Sequence, residues 1–278
     1  MMMADVSAGR RILIKFGGNA LSGEGDLGRF AEDIASLISS GIRPVLVHGG
    51  GPEISQEMER RGLRVKKVSG LRVTDDAALQ VAAEVLERIN GQIVEALARA
   101  GVTAQGMSGC EGGTVIADRM APVRTVDDHG NEVLVDLDRV GEVSGVNGGH
   151  LESLISSGTV PVIYPICADR QGREYNVNAD TVAAHVGRAV GAKEMALVTD
   201  VPGILKSGSV IRSASLADID RLIADGTITG GMVPKVEACR TALLNGAEIV
   251  YMLNGKEQHS LVRKLLKGEN IGTRITAV

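Results

Sequence analysis

A strand–glycine–helix pattern near the start of the sequence places the strongest constraint on the fold. The apolar run Arg11–Phe16 ends in two glycines, and apolar residues then recur at helical spacing over residues 26–38. A second apolar run over residues 44–48 is followed by three glycines and a further helical pattern to about Arg60. Because a short buried strand, a glycine turn and a helix occur twice in succession, the pattern predicts an α/β fold on a mainly parallel sheet.

Length and composition limit the class of protein. The chain has 278 residues, of which 44% are hydrophobic and only 2% aromatic, so we expect one large α/β domain, or two lobes sharing a sheet, around an aliphatic core. The net charge of -4 argues against nucleic-acid binding through bulk electrostatics. The scarcity of aromatic rings also argues against a protein that stacks single-stranded bases.

The cysteines and the apolar runs indicate the compartment. Cys110, Cys167 and Cys239 are far apart and contain no CxxC pair, which favours free thiols over a disulfide framework or a zinc site. No apolar stretch has the length of a membrane span, and residues 1–10 lack the apolar core of a signal peptide. We therefore expect a cytoplasmic protein that binds no membrane.

The middle of the chain predicts a change of architecture. Residues 65–73 indicate a small hairpin, and Thr74 is a candidate N-cap for a helix that runs to about Ala100. Residues 103–145 contain several turn signals between β-rich runs, which predicts mostly β-hairpin projecting from the main sheet. Strand–helix alternation resumes near residue 175, where we place the boundary between two lobes.

The stretch from Asn176 to Thr181 is the predicted hub of the site. It places two amides, Asn176 and Asn178, and the carboxylate of Asp180 where a helix begins. A helix N-terminus attracts anions through its free N–H groups and partial positive charge. The amides there can grip a substrate, although Asn178 can equally act as a helix cap, and Asp180 can hold cationic groups.

The two early glycine turns, Gly17-Gly18 and Gly49-Gly50-Gly51, are candidate anion-binding loops. Neither matches GxGxxG or the pattern GxxxxGK[ST], so neither indicates a dinucleotide fingerprint or a P-loop. Without Cβ atoms, their N–H groups can converge on phosphate oxygens, although such glycines can also serve only to make tight turns. Two such turns at the same end of adjacent parallel strands favour anion binding.

Lys15 and Lys235 complete a constellation suited to phosphoryl transfer. Lys15 ends the first strand, and Lys235 lies at a predicted helix start, where a cation opposes the dipole. Each lysine alone is also compatible with a solvated surface residue. Together with glycine N–H donors and a metal they can neutralise a transferred phosphoryl group, with Asp180 holding both lysines. A carboxylate acceptor is already ionised at neutral pH and needs no general base.

Arg72 and His48 are two further residues near the predicted site. Arg72 follows Ser69-Gly70-Leu71 and is a candidate clamp for a carboxylate, because its guanidinium presents a bidentate fork. An ordinary hairpin arginine is the alternative. His48 precedes a glycine turn, where we expect a structural role.

Six motifs, in order, resemble the acetylglutamate kinases of the amino acid kinase family. They are Lys15-Phe16-Gly17-Gly18-Asn19-Ala20, His48-Gly49-Gly50-Gly51-Pro52, Gly70-Leu71-Arg72-Val73-Thr74, Asn176-Val177-Asn178-Ala179-Asp180, Thr199-Asp200-Val201-Pro202-Gly203 and Gly230-Gly231-Met232-Val233-Pro234-Lys235-Val236-Glu237-Ala238. Because the resemblance extends from about residue 11 to Ile275, it is much more specific than any one motif.

The resemblance implies an open αβα sandwich and an enzyme that phosphorylates the side-chain carboxylate of N-acetyl-L-glutamate with ATP and Mg²⁺, in arginine biosynthesis. It implies a homodimer, with residues 1–175 as the amino-acid-binding and dimerisation lobe and residues 176–278 as the nucleotide-binding lobe. The implied site residues fall into three groups. They are Lys15, Lys235, Asp180, Gly18 and Gly50 for catalysis; Gly50, Gly51, Arg72, Asn176 and Asn178 for the amino acid; and Asp200, Val201, Pro202, Gly203, Ile204, Leu205, Thr229 and Gly231 for the nucleotide.

Two alternatives stay open at this point. The first is a related amino acid kinase acting on another carboxylate, such as a carrier-linked glutamate or aminoadipate. The second is a nucleotide- or arginine-binding regulatory module without catalysis, which would be expected to have lost Lys15, Lys235 or Asp180.

Overall fold

The computed structural model describes residues 9–21, 25–68, 70–126 and 131–278. Within these ranges the strands are β1 Arg11–Phe16, β2 Arg43–His48, β3 Lys67–Val68, β4 Leu71–Arg72, β5 Ala104–Ser108, β6 Val115–Arg119, β7 Val123–Val126, β8 Glu132–Val135, β9 Val140–Val146, β10 Val160–Tyr164, β11 Ile166–Ala168, β12 Glu174–Val177, β13 Glu194–Thr199, β14 Leu205–Lys206, β15 Ser209–Val210, β16 Ser213–Ser215, β17 Ile249–Asn254 and β18 Thr273–Thr276. The helices are α1 Asp26–Ser39, α2 Gly51–Arg60, α3 Asp76–Arg99, α4 Gly148–Ser156, α5 Ala179–Ala189, α6 Leu216–Ala224, α7 Met232–Leu244 and α8 Ser260–Leu265, with short 3-10 turns at Gly18–Leu21 and Glu111–Gly113.

An eight-stranded sheet in the order β16-β18-β17-β13-β1-β2-β10-β5 forms the centre of the molecule. Its neighbouring strands are parallel except for the antiparallel pair β17–β18. β1 and β2 pair directly, which confirms the parallel sheet predicted from the repeated strand–glycine–helix pattern. Helices cover both faces, so the αβα sandwich is confirmed.

Alternation along β1 explains how the two faces are buried. Ile12 and Ile14 point to the face covered by α1 and α3, where they pack with Phe30 and Ile93. Leu13 points to the opposite face, where residues of α5 and α7 complete a second cluster. All the β1 residues from 12 to 14 are at most 1% exposed, so both faces of the strand are buried, as expected for a central parallel strand.

The segment that follows α3 differs in part from the prediction of projecting hairpins. β5 joins the edge of the main sheet, parallel to β10, which the sequence did not indicate. The four strands β11-β12-β9-β6 close into a small barrel, and β7 and β8 form a two-stranded hairpin. The predicted turn over residues 128–131 lies outside the described residues except for its last residue, Asn131.

The predicted helix start at Thr74 is wrong. Asp75 is the N-cap of α3, and its side chain accepts a hydrogen bond from the N–H of Ala78 at 2.8 Å. Thr74 is instead fully buried, and its hydroxyl donates to the carbonyl of Arg72 at 2.9 Å. β3 and β4 form the predicted antiparallel hairpin, whose turn residue Ser69 lies outside the described residues.

The central sheet runs through both predicted lobes. β1 from the first lobe pairs with β13 from the second, and β12 spans the proposed boundary at residue 175. The functional division into an amino-acid lobe and a nucleotide lobe therefore stays a prediction. Among the described residues, no helix is both long and apolar enough to cross a membrane.

Candidate active site at the carboxyl edge of the sheet

Lys15 meets Asp180 because of the alternation in β1. Residues two apart in a strand share a face, so Lys15 lies on the same face as Leu13, against which α5 packs. Asp180 lies in the first turn of α5, and its Oδ1 atom is 2.7 Å from Lys15 Nζ. Both side chains are largely buried, with 14% and 26% of their surface exposed. The pair therefore forms a fixed charged group at the carboxyl edge of the sheet.

Asn178 sets the position of Asp180. Its side-chain oxygen accepts hydrogen bonds from the N–H groups of Asp180, at 2.7 Å, and Thr181, at 3.2 Å. This is the N-cap arrangement, which stabilises the start of α5 and fixes its first turn. The role of Asn178 that the sequence left open between cap and ligand is therefore at least that of a cap.

A cavity of about 250 Å³, here the Arg72 cavity, opens on one side of this pair. Its wall brings together Lys15, Asp180, Gly17 of the first turn, the three glycines of the second turn, the hairpin and the start of α5. The lining comprises Lys15, Gly17, Gly49, Gly50, Gly51, Ile54, Lys67, Gly70, Leu71, Arg72, Leu86, Val140, Pro165, Asn176, Val177, Asn178, Ala179 and Asp180. All five residues predicted to bind the amino acid are among them.

Arg72 is a buried cation that has no anionic partner among the described residues. It is 8% exposed, and its Nη2 atom donates to the carbonyl of Gly51 at 2.9 Å and to Ser55 Oγ at 2.7 Å. No carboxylate of the described residues forms an ion pair with it, and burial lowers its pKa below the ordinary value. Because a buried charge is costly unless it is paired, this guanidinium indicates an anionic ligand in the cavity.

Thr74 connects Arg72 to Asn176, a link that the sequence analysis missed. Asn176 Nδ2 donates to Thr74 Oγ1 at 3.3 Å, while Thr74 itself donates to the Arg72 carbonyl. The two polar groups that face the Arg72 cavity from β4 and β12 are thus joined by one buried hydroxyl. Nothing in the local pattern distinguishes a threonine in this role from an N-cap.

A second cavity of about 220 Å³, here the Lys235 cavity, lies on the other side of Lys15 and Asp180. Lys235, in the first turn of α7, places its Nζ atom 3.3 Å from Asp200 Oδ1, not against Asp180 as the sequence analysis had it. Burial opposes ionisation of Asp200, but the charge of Lys235 and a hydrogen bond from Thr199 hold the pKa of this carboxyl below its usual value. Lys15, Gly17 and Asp180 line both cavities.

The two glycine turns pack against each other at this shared wall. The N–H of Gly49 donates to the carbonyl of Phe16 at 3.0 Å, which ties the second turn to the end of β1. A Cβ atom at Gly17 would lie 3.4 Å from Lys15 Nζ and 3.7 Å from Gly49 Cα, so both glycines permit a close approach of backbone to the charged pair. Gly18 begins the 3-10 turn that follows, and Gly51 begins α2.

Comparison with known sequences identifies the family. The profile of the amino acid kinase family matches residues 10–254, which is most of the chain.

The chain belongs to the amino acid kinase family.

Individual members of the amino acid kinase family are similar over almost the full length. The acetylglutamate kinase of Methanocorpusculum labreanum is 40% identical over 271 residues, which cover 96% of this chain and 92% of that protein. The acetylglutamate kinase of Methanocaldococcus jannaschii is 41% identical over 96% of this chain and 91% of its own length. The crystal structure of smu.665 from Streptococcus mutans superimposes with a TM-score of 0.77 at 29% identity, covering 96% of this chain and 99% of that one.

In this member of the amino acid kinase family, Asp200 alone of the predicted nucleotide-binding residues lines the Lys235 cavity. The other predicted residues are Val201, Pro202, Gly203, Ile204, Leu205, Thr229 and Gly231, and they do not line it. Ile204 is fully buried, and its N–H is bonded to Thr273 Oγ1 at 2.9 Å. Thr229 and Gly231 are exposed at the entrance to α7. Their assignment stays a prediction from the motif.

Proposed function

We propose that the chain transfers the γ-phosphoryl group of ATP to the side-chain carboxylate of N-acetyl-L-glutamate, giving N-acetylglutamyl 5-phosphate and ADP, within arginine biosynthesis. Relatives that are 40–41% identical over nearly the whole chain carry the name acetylglutamate kinase. The observation that carries the proposal is the meeting of two cavities at Lys15, Gly17 and Asp180. A two-substrate transfer needs this geometry, because the phosphoryl donor and acceptor must converge on one point.

The Arg72 cavity is the proposed acceptor site. Its guanidinium, which has no anionic partner in the part of the chain that the structure describes, suits a carboxylate of the acetylated amino acid. The Asn176 amide, whose Nδ2 is hydrogen-bonded to Thr74, offers its oxygen to a substrate N–H. Gly50 and Gly51 lie beside the start of α2, where free N–H groups favour the second carboxylate. Two carboxylates and one amide N–H are among the polar groups of an N-acylated acidic amino acid, which also presents its acyl carbonyl.

The Lys235 cavity is the proposed site of the nucleotide phosphates. Lys235 and Lys15 contribute two positive charges to its wall. Asp200, which also lines this cavity, forms an ion pair with the Lys235 ammonium group and so holds it in place. We assign Val201, Pro202, Gly203, Ile204, Leu205, Thr229 and Gly231 to the remainder of the nucleotide on the strength of their motifs. These residues lie beyond the cavity, on the segments that follow β13 and precede α7.

The proposed chemistry needs positioning and charge more than proton transfer. A carboxylate oxygen of the acceptor attacks the γ-phosphorus, the bond to the β–γ bridging oxygen breaks, and ADP departs. Because the acceptor is ionised at neutral pH, no residue has to remove a proton. Lys15, held by Asp180, and Lys235 stabilise the negative charge, and the N–H groups of Gly18 and Gly50 donate to the phosphoryl oxygens.

Magnesium is proposed to arrive with the nucleotide. Mg²⁺ in such sites is typically held by substrate phosphates and one or two carboxylates, and not by an all-protein cage. The described residues contain no group of three or more His, Cys, Asp or Glu side chains arranged to hold a metal ion. Asp180 and Asp200 are the carboxylates on the Lys235 cavity, a set that fits a phosphate-bound ion. When bound, the ion would neutralise phosphate charge.

We also propose a cytoplasmic homodimer. The resemblance implies a dimer contact in the first lobe, and light scattering on the purified chain should give twice the 29.0 kDa of one copy. All three cysteines are free thiols, with Cys167 and Cys239 buried, which suits a reducing compartment. A monomeric mass at micromolar concentration would count against the dimer.

The proposed activity can be tested by measuring ADP release with a panel of acceptors. N-acetyl-L-glutamate should support turnover, whereas glutamate, aspartate and carbamate should support much less because each lacks part of the complement of the Arg72 cavity. Turnover with a carrier-linked glutamate or aminoadipate alone would favour the related amino acid kinase. Nucleotide binding without ADP release from any acceptor would favour the regulatory module.

A further inference from the structure

His48 lies directly behind the second glycine turn and is fully buried. Its ring stacks on Phe16, with centroids 6.0 Å apart, and its Nδ1 atom is 3.0 Å from the carbonyl oxygen of Gly49. Its other nitrogen, Nε2, is 3.0 Å from the side-chain nitrogen of Asn90 on α3. That same Asn90 nitrogen is 2.9 Å from the carbonyl oxygen of Val162 on β10. A chain of hydrogen bonds therefore runs from β10 through α3 to the glycine turn.

The two carbonyl groups at its ends fix every proton in this chain. A carbonyl oxygen only accepts, so Asn90 Nδ2 donates one hydrogen to Val162 and has its second hydrogen for His48 Nε2. His48 Nε2 must then be the unprotonated nitrogen, and Nδ1 carries the proton that it donates to Gly49. Burial lowers the pKa of His48 to about 4, so the ring is neutral at physiological pH, as this arrangement requires.

These hydrogen bonds orient the peptide group between Gly49 and Gly50. The peptide is trans and planar, so its N–H points away from its C=O. Since the carbonyl is turned toward the buried His48, the N–H of Gly50 is turned toward the opposite side, where Gly50 lines the Arg72 cavity. This N–H finds no acceptor among the residues that the structure describes, whereas the N–H of Gly49 is used by Phe16.

The helix that supplies Asn90 also packs against the turn itself. A Cβ atom at Gly50 would lie 2.8 Å from Ile89 Cδ1 and 3.1 Å from Leu86 Cδ2, so α3 closes on the turn from behind. On the far side of Asn90, a Cβ atom at Gly106 would lie only 1.9 Å from Asn90 Oδ1. Asn90 can therefore occupy its position only because residue 106 of β5 has no side chain, and the second glycine turn packs directly against α3.

We propose that Asn90 and His48 are positioning residues. They keep the Gly49 carbonyl pointing toward His48, so that the Gly50 N–H faces the transferred phosphoryl group. This inference rests on the proposed phosphoryl transfer for its kinetic consequence. In the transition state the phosphoryl oxygens would gain a donor whose direction is already fixed, which is the condition under which such a donor is most effective. Neither residue touches a substrate.

Two conservative substitutions separate this role from a general packing role. In His48→Asn the amide nitrogen takes the place of Nδ1 and can still donate to the Gly49 carbonyl, whereas in His48→Gln it takes the place of Nε2 and cannot. We expect His48→Gln to lower kcat about 100-fold with little change in KM, because one donor to the transition state is lost. We expect His48→Asn to retain kcat within about threefold.

The matched control is His185→Asn, a half-buried histidine on α5 away from both cavities, which should leave kcat and KM unchanged. Equal losses in the Asn and Gln variants of His48, or full activity in both, would overturn the inference. Gly106→Ala provides a second, remote variant that leaves His48 intact. We expect this substitution to displace Asn90 and to lower kcat. An unchanged kcat would also count against the proposed role of these hydrogen bonds.

A spectroscopic measurement on the unaltered protein tests the chain of hydrogen bonds through Asn90 and His48 even if acetylglutamate is not the acceptor. Nitrogen-15 spectra of the histidine side chains should show His48 neutral, with the proton on Nδ1, between pH 6 and 8. The backbone amide signal of Gly50 should move in His48→Gln but not in His48→Asn. A proton on Nε2 would overturn the inference whatever the acceptor, while correct spectra with no acetylglutamate turnover would overturn only the proposed function.

Discussion

At the scale of single residues, the position of Lys15 in its strand matters as much as its charge. Lys15 lies two residues after Leu13 and therefore on the α5 face of β1, where Asp180 is 2.7 Å away. Had the lysine been shifted by one residue, alternation would have placed it on the α1 face, away from the Lys235 cavity. The sequence shows that Lys15 is a lysine at the end of a strand, and the alternation of side chains along that strand determines that it meets Asp180.

Replacement of Lys15 tests its proposed action on charge that develops during transfer. We expect Lys15→Ala to lower kcat about 100- to 1,000-fold while KM for either substrate changes little, as for the loss of an interaction made in the transition state. Steady-state kinetics on purified protein measure this split. Lys193→Ala, which removes an exposed lysine paired with Glu248, serves as the control and should be fully active. A defect confined to KM would argue against the assignment.

Replacement of Arg72 tests the proposed acceptor site separately. We expect Arg72→Ala to raise KM for N-acetyl-L-glutamate about 10- to 100-fold, because a charged hydrogen-bond partner of the ligand is lost. KM for ATP should stay nearly constant. Arg60→Ala is the control, since Arg60 is an exposed arginine on α2. Unchanged saturation by the acceptor in Arg72→Ala would show that the guanidinium does not bind it.

Acid should weaken the fold through His48. Burial lowers the pKa of His48 from 6.5 to about 4 in the folded protein, so between these values the unfolded chain binds more protons. The free energy of unfolding contributed by this group is fully present above pH 6.5 and falls as the pH approaches 4, by about 3 kcal/mol in total. Among the described side chains that contact His48, which are those of Phe16, Asn90 and Tyr164, only Tyr164 is titratable. Burial raises the pKa of Tyr164, so it stays neutral throughout.

Urea unfolding from pH 7 to pH 4 measures this dependence, with His48→Asn as the comparison. The difference in unfolding free energy between the two proteins should shrink or change sign toward pH 4, because the proteins differ only in the side chain at position 48. Parallel curves for the two proteins would show that His48 is not held neutral.

At the scale of elements, the start of α5 links stability to the site. Asn178 caps this helix and fixes the first turn that holds Asp180. We expect Asn178→Ala to lower the free energy of unfolding by about 1 kcal/mol and also to lower kcat, because the partner of Lys15 loses its fixed position.

Ser215→Ala provides the matched control for the cap. Ser215 and Asp218 form a capping box at the start of α6, away from both cavities. Its loss should cost a similar stability without a loss of kcat. If both variants lose stability and neither loses kcat, the cap of α5 has no part in positioning Asp180.

Elements with strong local patterns could be predicted, and those defined by distant partners could not. The apolar periodicity of α1 was sufficient to predict a helix, because one face of this helix is buried. The apolar runs of β1 and β2 were sufficient to predict strands, because both faces of these strands are buried. The start of α3 was misplaced by one residue, since Thr74 and Asp75 both suit an N-cap and only tertiary burial distinguishes them. The pairing of Lys235 with Asp200 depends on side-chain conformation, which no pattern encodes.

At the scale of the whole molecule, the sequence predicted the parallel sandwich but not its edges. β5 was assigned to a projecting hairpin region because turn signals separate the β-rich runs of residues 103–145, yet Ala104–Ser108 forms the edge of the main sheet. At this edge Gly106 leaves room for the side chain of Asn90, so α3 approaches β5 closely there. The convergence of two cavities on one lysine could be expected only from the resemblance, because it depends on how α5, α7 and the hairpin surround the sheet.

In the proposed reaction, one carboxylate in the Arg72 cavity receives a phosphoryl group from a nucleotide in the Lys235 cavity. The reaction can be tested most directly by trapping the acyl phosphate with hydroxylamine while ADP is measured in parallel. With ATP, Mg²⁺ and N-acetyl-L-glutamate, we expect equal amounts of ADP and the side-chain hydroxamate of acetylglutamate, and both products should form about 100- to 1,000-fold more slowly with Lys15→Ala. ADP release without hydroxamate, or no reaction with N-acetyl-L-glutamate, would contradict it.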